Sequence, residues 1–589
     1  ARNEVFTLES LGAGSTTGEK IKVKAVLQGQ EHIQQFDNVT NVIGYAGGGQ
    51  SVIDASDLLY AVVDFTGGSG NSILKASAAA GSILRGGSGT STLTGAANAR
   101  NTLIGGQGNT TIYGGTAADT IRSGKRSDLL SGGGGGDTYE FSDQFGRDRL
   151  LAVGSGNTVD FSNATEDVTF NLGRLVQSAK QGNNTIFFAP DAAGVNSIDN
   201  WIAGSGDDRF NTFYFAPDTT LSLQGGLGDN FYSITLGNQF KRFFSDVNPS
   251  APTLLERMDP RNIGYINITD AGGNGQTLIK QSFPERINYS VTEIDNGREQ
   301  VAMSGISRVD LDAGDATVVW GDPSKQWIDL GVGATVTAGT VEMRSNVEAD
   351  GLTMNLKRGF SVTRAINLRN NSDVTITIRN FDPLASANLF LGSNRPATDP
   401  WLPGIYSSSG SVFTTPGVDP GAVAPDGNGA GLIRIEVPTG GVIDGSDAAS
   451  IAGTITARNG EVVIEARDTI GYASNPVNIN ARYFAASTTK AISTDAEGIN
   501  VVSEQDFHFT LVDGVDGLST ESGRIELTLA AGKTLYYGNA TAGSGRDIIF
   551  NANKVEQSGG RQYQVLRDVL RPFDVSYTVT YLVEVTKRL

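Results

Sequence analysis

Three aspartates that recur at a nine-residue spacing, Asp119, Asp128 and Asp137, are the side chains of this chain best suited to binding chemistry. Calcium prefers oxygen ligands, and carboxylates dominate its affinity. The formal net charge of −18 also makes divalent cations the natural counter-ions of the chain. An aspartate in a tight turn has a second use, because its side chain can cap the turn by hydrogen bonding to the backbone. The pattern therefore indicates either a cation site or a set of turn caps.

Catalytic side chains are sparse. The chain has no cysteine and two histidines, His32 and His508, which are far apart in the sequence. It lacks a G-x-S-x-G elbow, an H-E-x-x-H zinc motif and a phosphate-binding G-x-x-x-x-G-K-[ST] loop. Triad or thiol hydrolysis is therefore not expected. His508 lies between Phe507 and Phe509, a pattern typical of a packed or surface imidazole on a strand.

The densest acidic group is Asp310, Asp312 and Asp315, with Asp322 nearby. Alternation along a strand would place Asp310 and Asp312 on one face, where they could hold calcium, share a proton or form an exposed acidic surface. Acidic clusters are common in acidic chains, so we predict no catalytic residue and no enzyme. A carbohydrate-active enzyme stays the alternative, because β-helical lyases and glycosidases work with such side chains alone.

The three spaced aspartates lie in a repeat that runs from Gly67 to Tyr139 and follows the pattern G-G-x-G-x-D-x-U, where U is apolar. The glycines suit tight turns, since a positive φ is tolerated without a Cβ. A short fixed period predicts units that bury one apolar residue each by stacking into a β-solenoid. The U positions are Leu84, Leu93, Leu103, Ile112, Ile121, Leu130 and Tyr139.

This repeat resembles the calcium-binding nonapeptides of the RTX, or haemolysin-type, family of secreted bacterial proteins. The segments that carry the resemblance are Gly67-Gly68-Ser69-Gly70, Gly86-Gly87-Ser88-Gly89, Gly105-Gly106-Gln107-Gly108, Gly114-Gly115 and Gly132-Gly133-Gly134-Gly135. The resemblance implies a β-roll in which the sixth residue of a repeat binds calcium between turns, together with backbone carbonyls of the glycine-rich loop. The sixth positions hold Ser72, Ser91, Thr110, Asp119, Asp128 and Asp137, so half of them lack the carboxylate.

Residues that share an ion should lie one coil, or 18 positions, apart, as Asp119 and Asp137 do. The resemblance therefore implies one good calcium site at Asp119 and Asp137. Asp128 would form a half-site, because Thr110 stands 18 positions before it. The loop glycines at these sites are Gly115, Gly133 and Gly135.

The resemblance continues in a less regular form and covers roughly residues 40–235. Residues 196–210 look like the isolated single repeats of giant secreted adhesins, with Asp208 in the calcium position. In the next such repeat the position is held by Asn230, which is a weaker, neutral ligand. We therefore expect Asp208 to be a further candidate metal ligand.

Composition favours a secreted all-β protein. The chain has 76 glycines, 17 prolines and 18% charged residues, which suits turn-rich β structure rather than disorder. The acidic excess repels phosphate backbones, so no nucleic-acid partner is expected. No stretch approaches 18 uninterrupted apolar residues, which predicts no membrane span. No leader pattern follows Ala1, so we expect a removed leader or a processed piece of a longer protein.

Changes of pattern divide the chain into six predicted segments. They are an N-terminal β segment (1–40), an RTX-like β-roll (41–150), an aromatic-rich irregular β-solenoid (151–262), a β-rich module (263–382), a Pro/Gly-rich loop or linker (383–430) and a β-helix-like C-terminal module (431–589). The aromatic residues of 151–262 are expected to be stacked core rungs, with an exposed binding strip as the alternative. Short strands in 263–382 suggest a sandwich, a barrel or an irregular β-helix.

Residues 460–481 resemble the right-handed β-helix of filamentous-haemagglutinin-type adhesins. Residues 574–585 alternate apolar and polar side chains and are expected to form a long strand, either as an edge strand or by exchange with a neighbouring subunit. Taken together, the sequence predicts an elongated all-β chain, with a parallel β-roll of degenerate nonapeptides followed by further β-helix or β-sandwich modules.

These features favour a secreted, calcium-stabilised structural protein of the bacterial cell surface or matrix, such as a surface layer, an extracellular filament or an adhesin. Self-assembly into a homo-oligomer or polymer and contact with cell-surface polysaccharide are the expected partnerships. The alternative is a calcium-dependent polysaccharide lyase or epimerase with an RTX module. A phage fibre or spike is a third possibility, although no trimerisation segment is visible.

Overall fold

The computed structural model describes most of the 589 residues. The described ranges are 3–79, 81–173, 177–189, 198–213, 220–236, 264–271, 275–281, 286–289, 293–295, 299–304, 306–313, 317–321, 327–380, 387–392, 403–412, 425–445, 454–491 and 493–557. These residues form 52 β-strands and no helix, which confirms the all-β prediction. No helix of the described residues is therefore available to cross a membrane. The chain divides into two compact units, Ala1–Thr277 with Arg298–Ile306, and Leu278–Gly297 with Ser307–Leu589.

The strands up to residue 269 are short after the first three. In chain order they are β1 (Glu4–Ala13), β2 (Glu19–Leu27), β3 (Gln30–Val39), β4 (Asn41–Tyr45), β5 (Ser51–Asp54), β6 (Val62–Thr66), β7 (Ser72–Lys75), β8 (Ser82–Arg85), β9 (Ser91–Thr94), β10 (Asn101–Ile104), β11 (Thr110–Gly115), β12 (Thr120–Arg122), β13 (Leu129–Gly133), β14 (Thr138–Ser142), β15 (Arg147–Ala152), β16 (Asn157–Asn163), β17 (Thr169–Gly173), β18 (Gln177–Gln181), β19 (Asn184–Ala189), β20 (Ile198–Ile202), β21 (Arg209–Phe213), β22 (Thr220–Gln224), β23 (Phe231–Leu236) and β24 (Gly264–Thr269).

From β4 to β16 the strands of the first unit alternate between two parallel sheets. Strands β5, β7, β9, β11, β13 and β15 form the first sheet. Strands β4, β6, β8, β10, β12, β14 and β16 form the second sheet. One strand from each sheet makes one coil, so the glycine-rich repeat folds as the parallel solenoid that its period predicts.

The U positions form the centre of this solenoid. All seven, from Leu84 to Tyr139, are fully buried. Leu103, for example, stands in register between Leu84 and Ile121 in the second sheet. Each side chain therefore stacks on the equivalent side chain of the next coil, which is how a unit with a single apolar residue obtains a core.

Three antiparallel strands stand at the start of the first unit. Strand β1 pairs with β2, and β2 pairs with β3, while β1 also pairs in parallel with β5. The buried Glu19 carboxylate fixes this addition to the first coils, because it accepts hydrogen bonds from the backbone amides of Leu59, Tyr60 and Ala61 at 2.9, 3.0 and 3.0 Å. The first sheet thus continues three strands beyond β5.

Larger coils follow β16 and contain an aromatic core. Phe161, Phe170, Phe210 and Tyr232 are buried, with ring centroids of successive pairs 5.3, 4.6 and 5.1 Å apart. These contacts confirm stacked core rungs at these positions. Two rings are exceptions: Phe187 is 51% exposed, and the half-buried Phe231 lies 4.3 Å from the Arg209 guanidinium. The predicted rungs outside the described residues are Phe215, Phe240, Phe243 and Phe244.

A three-stranded antiparallel insertion interrupts the parallel order within these coils. Strand β18 lies between β17 and β19 and is antiparallel to both. The parallel ladder continues on either side, because β19 pairs with β15 and β17 pairs with β21. The second sheet proceeds through β20, β22, β24 and a later strand, Glu299–Ser304.

The remaining strands include several long ones. In chain order they are β25 (Gly275–Gln281), β26 (Arg286–Tyr289), β27 (Glu293–Asp295), β28 (Glu299–Ser304), β29 (Ile306–Asp312), β30 (Thr317–Trp320), β31 (Trp327–Ala338), β32 (Thr340–Met343), β33 (Asn346–Leu356), β34 (Phe360–Val362), β35 (Ala365–Leu368), β36 (Val374–Ile378), β37 (Leu389–Leu391), β38 (Gly404–Ser407), β39 (Leu432–Val437), β40 (Val442–Asp444), β41 (Thr454–Ala466), β42 (Val477–Thr488), β43 (Gly498–Ser503), β44 (Phe507–Phe509), β45 (Leu511–Val512), β46 (Val515–Asp516), β47 (Leu518–Thr520), β48 (Arg524–Leu529), β49 (Thr534–Tyr537), β50 (Ala540–Thr541), β51 (Ile548–Asn551) and β52 (Lys554–Gln557).

The second unit is a parallel β-helix rather than a sandwich or a barrel. Its long strands are shared between two faces: one end of β33 pairs with β35 and the other with β36, and β41 divides in the same way between β38 and β39. Its core is again a set of in-register rows, such as the buried Ile376, Ile435 and Ile464.

Two predicted features of the later chain have different outcomes. The segment 383–430, expected to be a loop or linker, contributes strands β37 and β38 to the β-helix. The alternating segment 574–585 lies outside the described residues.

Replacing a buried ring of the aromatic core should destabilise the first unit strongly. Phe170→Ala removes a fully buried ring, and such truncations cost about 3–5 kcal/mol. Phe187→Ala is the matched control, because this ring is exposed and on the same sheet, and it should change the free energy of unfolding by less than about 0.5 kcal/mol. Urea denaturation followed by circular dichroism measures both. Equal effects of the two variants would contradict the aromatic core.

Candidate cation site in the turn ladders

The aspartates at 119 and 137 lie in one buried row at the turns that lead into the second sheet. Asp119 Oδ1 accepts a hydrogen bond from the backbone amide of Asn101 at 2.7 Å. Asp137 Oδ1 accepts from the amide of Asp119 at 2.9 Å, and Asn157 Oδ1 accepts from the amide of Asp137 at 2.8 Å. We call this row of side chains the first turn ladder. Each side chain in it accepts a hydrogen bond from the backbone amide of the equivalent residue one coil earlier.

Asp128 lies in a second turn ladder, at the turns that lead into the first sheet. Its Oδ1 accepts from the amide of Thr110 at 2.6 Å, and its own amide donates to Asp148 Oδ1 at 2.9 Å. Asp148 is the residue that the spacing argument missed, because this coil has 20 residues instead of 18. Aligning the U position Leu130 with Leu150 would have found it, because Asp148 stands two residues before Leu150 as Asp128 does before Leu130.

Asp208 begins a shorter row in the larger coils. Its Oδ1 accepts from the amide of Val168 at 2.6 Å and its Oδ2 from the amide of Gly204 at 3.1 Å. The amide of Asp208 donates to Asn230 Oδ1 at 2.9 Å. Asp208 and Asn230 therefore repeat the arrangement of the first turn ladder.

The carboxylates differ in whether the second oxygen has a partner. Asp128 Oδ2 accepts from the amide of Gly124 at 2.7 Å, and both oxygens of Asp208 are likewise used. In contrast, Oδ2 of Asp119, Asp137 and Asp148 is buried and accepts no hydrogen bond of normal geometry, although the Gly115 amide lies near Asp119 and the Ser123 hydroxyl near Asp148. A buried carboxylate oxygen without a partner is costly. These three aspartates are consequently the ones that a cation or a proton would stabilise.

The predicted loop glycines lie beside these carboxylates. The carbonyl of Gly115 accepts from the amide of Gly134 at 2.8 Å, so the two turns stack. Gly133 and Gly135 have φ values of 87° and 91°, which only glycine adopts readily. A Cβ on Gly132 would overlap Asp137 Oδ2, so the carboxylate touches the loop backbone. Carbonyl and carboxylate oxygens thus line the same turn.

Two tyrosines of the core add hydroxyl groups to the turns. Tyr139 occupies a U position, and its hydroxyl accepts a hydrogen bond from the amide of Gly132 at 2.9 Å. Tyr232 repeats the role in the larger coils, where its hydroxyl donates to Asp270 Oδ2 at 3.1 Å. The sequence signal is a tyrosine two residues after the sixth position, in GGGGGDTY and GGLGDNFY.

Burial raises the pKa values of all the ladder carboxyls above the usual 3.8. The cause is loss of hydration of the charged form, which the amide hydrogen bonds offset only in part. Burial raises the pKa of Asp128 and of Asp137 to about 6, and that of Asp208 to about 7. The pKa of Asp148 rises to about 8, with the nearby Asp128 charge adding to the desolvation, and burial also raises the pKa of Asp119.

The ladders fit a cation only if the loop backbone completes its ligand set. No group of three or more acidic or histidine side chains converges within the described residues, and calcium takes 6–8 oxygen ligands. Asp119 and Asp137 can each offer one free carboxylate oxygen, and the stacked turns supply carbonyls. The turn-cap alternative is present in the same geometry, because Oδ1 of each residue caps the coil before it.

The other candidate groups of the described residues lie in the second unit, on strands β29 and β44. Asp310 and Asp312 lie on the outer face of β29, as alternation predicts, and Asp310 Oδ1 accepts from the amide of Thr335 at 2.8 Å. Asp315 and Asp322 lie outside the described residues. His508 stacks on Tyr536 with ring centroids 4.1 Å apart, which confirms a packed imidazole. No family model, curated protein or solved structure matches this chain.

In chelator, the stability of the first unit should fall as the pH rises from about 5 to about 8. The folded-state pKa values of the ladder carboxyls lie above the unfolded value, so the folded chain holds more protons in this window and loses stability as they leave. Thermal midpoints across the window measure the slope.

Asp148→Asn should flatten that slope, since it removes the carboxyl whose pKa burial raises to about 8. An amide is accepted in such a row, because Asn157 already accepts the amide of Asp137. Asp57→Asn, at an exposed turn, is the control and should leave the slope unchanged. A slope equal in all three chains would show that Asp148 does not titrate in this range.

Proposed function

We propose that this chain is a secreted, calcium-stabilised structural protein of the bacterial cell surface or matrix, of the surface-layer, filament or adhesin kind. The observation that supports this proposal best is the set of buried carboxylate oxygens that accept no hydrogen bond of normal geometry, Oδ2 of Asp119, Asp137 and Asp148, inside stacked glycine turns. The resemblance of these turns to RTX nonapeptides points in the same direction.

Asp119 and Asp137 would hold the ion in the first turn ladder, together with carbonyls of the loops around Gly115 and Gly133. Asp128 and Asp148 are the corresponding pair in the second ladder. Bound calcium would supply positive charge that offsets the burial of these carboxylates. Oδ1 of Asp137 and of Asp148 would still accept the hydrogen bond from a backbone amide of the preceding coil.

Calcium dependence suits a protein that folds outside the cell. Ionised ladder carboxylates destabilise the coils until a cation arrives, so folding is weak at the low calcium of the cell interior and strong in a calcium-rich exterior. The parallel coils, in turn, suit a load-bearing role, because each coil contacts its neighbours through a full row of backbone hydrogen bonds.

A polysaccharide lyase or epimerase is the second candidate. The shared outer face of Asp310 and Asp312 is the observation that favours it, because paired carboxylates can act as general acid and base. An assay on acidic polysaccharides with and without calcium separates the two functions. Turnover that is lost in Asp310→Asn would favour the enzyme.

Calcium should raise the thermal stability of the first unit, and Asp137→Asn should reduce this gain. At a free concentration 100-fold above Kd the stabilisation is about 2.7 kcal/mol. The amide keeps the Oδ1 acceptor that holds the amide of Asp119 but removes the charge. Differential scanning calorimetry in millimolar calcium and in chelator measures the gain.

Asp57→Asn serves again as the control and should retain the full calcium effect. If the unaltered chain has the same melting curve in calcium and in chelator, the calcium proposal is wrong. In that case the ladder aspartates act as turn caps alone.

A further inference from the structure

Strand β3 has an unprotected outer edge. Within the described residues it pairs with β2 alone, and its residues 30–37 are all exposed. A strand edge with free amides and carbonyls is a template for another strand, so proteins usually protect such edges with lysine, proline or bulges. Between Gln30 and Phe36 there is no lysine, proline or glycine. The single acidic residue of this stretch, Glu31, is paired with Lys24 at 3.3 Å.

Exposed apolar side chains are frequent in the first 60 residues of the chain. Eight of the fifteen large apolar residues that are exposed in the described part of the chain lie before residue 61. Ile33 and Phe36 of β3 are 56% and 42% exposed. Both side chains would gain from a neighbouring strand that covers their apolar surface.

The regular part of β3 ends at Phe36. The next two residues belong to a bulge, since the register with β2 shifts there and Asn38 has a φ of 59°. The side chains of Asp37 and Asn38 are also occupied, because they accept hydrogen bonds from the amides of Ser15 and Thr16. A partner strand therefore has seven regular residues available, Gln30 to Phe36.

We propose that β3 pairs with β3 of a second copy of this chain, antiparallel and about a two-fold axis at Ile33. The inference rests on the proposed structural function and names the surface through which two copies join. An antiparallel pair with a two-fold axis normal to the sheet places each residue opposite one on the same face, and Ile33 is the midpoint of the seven. The two first sheets then become one continuous sheet.

The side chains agree with this register. Ile33 lies opposite Ile33 of the second copy, and Glu31 lies opposite the neutral Gln35, so no charges of like sign meet. Moving the two-fold axis one residue later along β3 would place Glu31 opposite Asp37. Moving it two residues later would place Ile33 opposite Asp37. Moving it earlier would leave Phe36 beyond the pairing.

Single cysteines test the register directly, because the chain has no cysteine of its own. Ile33→Cys should form an intermolecular disulfide under mild oxidation, since opposed Cα atoms of an antiparallel pair lie about 4.5–5.5 Å apart. Gln35→Cys is the matched control on the same face. Its two copies would be offset by four residues, or about 14 Å, and should not cross-link.

Mixing Gln35→Cys chains with Glu31→Cys chains should restore the cross-link, as these positions oppose each other in the proposed register. Sedimentation of the unaltered full chain should show a dimer. Ile33→Lys should weaken the affinity of the dimer by roughly tenfold or more, because two positive charges would then face each other at the two-fold axis. A monomeric unaltered chain, or equal cross-linking of Ile33→Cys and Gln35→Cys alone, overturns the proposal.

Melting curves in calcium and chelator on the same samples separate this inference from the proposed function. A monomer that calcium still stabilises overturns the β3 interface and leaves the calcium-stabilised function standing. A β3 dimer that calcium does not stabilise supports the interface and counts against the calcium proposal.

Discussion

The structure depends on satisfying the backbone amides of buried turns. A solenoid with short coils brings the start of every strand into the interior, where an amide without a partner is costly. The aspartate-containing coils meet this requirement with a side-chain oxygen that accepts from the equivalent amide one coil earlier, as Asp137 does for Asp119. In the early coils a backbone carbonyl of the next coil accepts instead, as that of Asn71 does for the amide of Ser51. Because the acceptor comes from the next coil, the same bond also joins neighbouring coils. Stacking and amide satisfaction are therefore one interaction.

The residues at the sixth position differ in the amides that they accept from and in the cost of burying them. Ser72 and Ser91 stand at the sixth position of early coils, and each accepts from a glycine amide of its own turn at 3.0 and 3.1 Å. Later coils use Asp128, which accepts from its own turn and from the coil before it. The carboxylate gains hydrogen bonds but loses hydration, so its pKa rises. The chain thus changes from neutral to ionisable ladders along the same fold.

The sequence was sufficient for features that depend on a regular period. The U positions and the strand rows follow from the nine-residue spacing, and every U residue is buried. Asp148 was not found, because ladder contacts follow the sheet register rather than a fixed count, and its coil is two residues longer. The divided long strands such as β33 were missed for a related reason. Apolar alternation shows a strand but not the corner at which its two ends join different neighbours.

The order of residues within a ladder limits the charge that the interior must hold. Asn101 and Asn157 stand on either side of Asp119 and Asp137, so that run of carboxylates contains two members and ends in neutral amides. A longer run would add like-charge repulsion at every coil, because each carboxylate raises the pKa of the next, as Asp119 does for Asp137. A run of two is also the smallest that places two carboxylates one coil apart. The neutral ends therefore confine the carboxylates of the first turn ladder to two neighbouring coils.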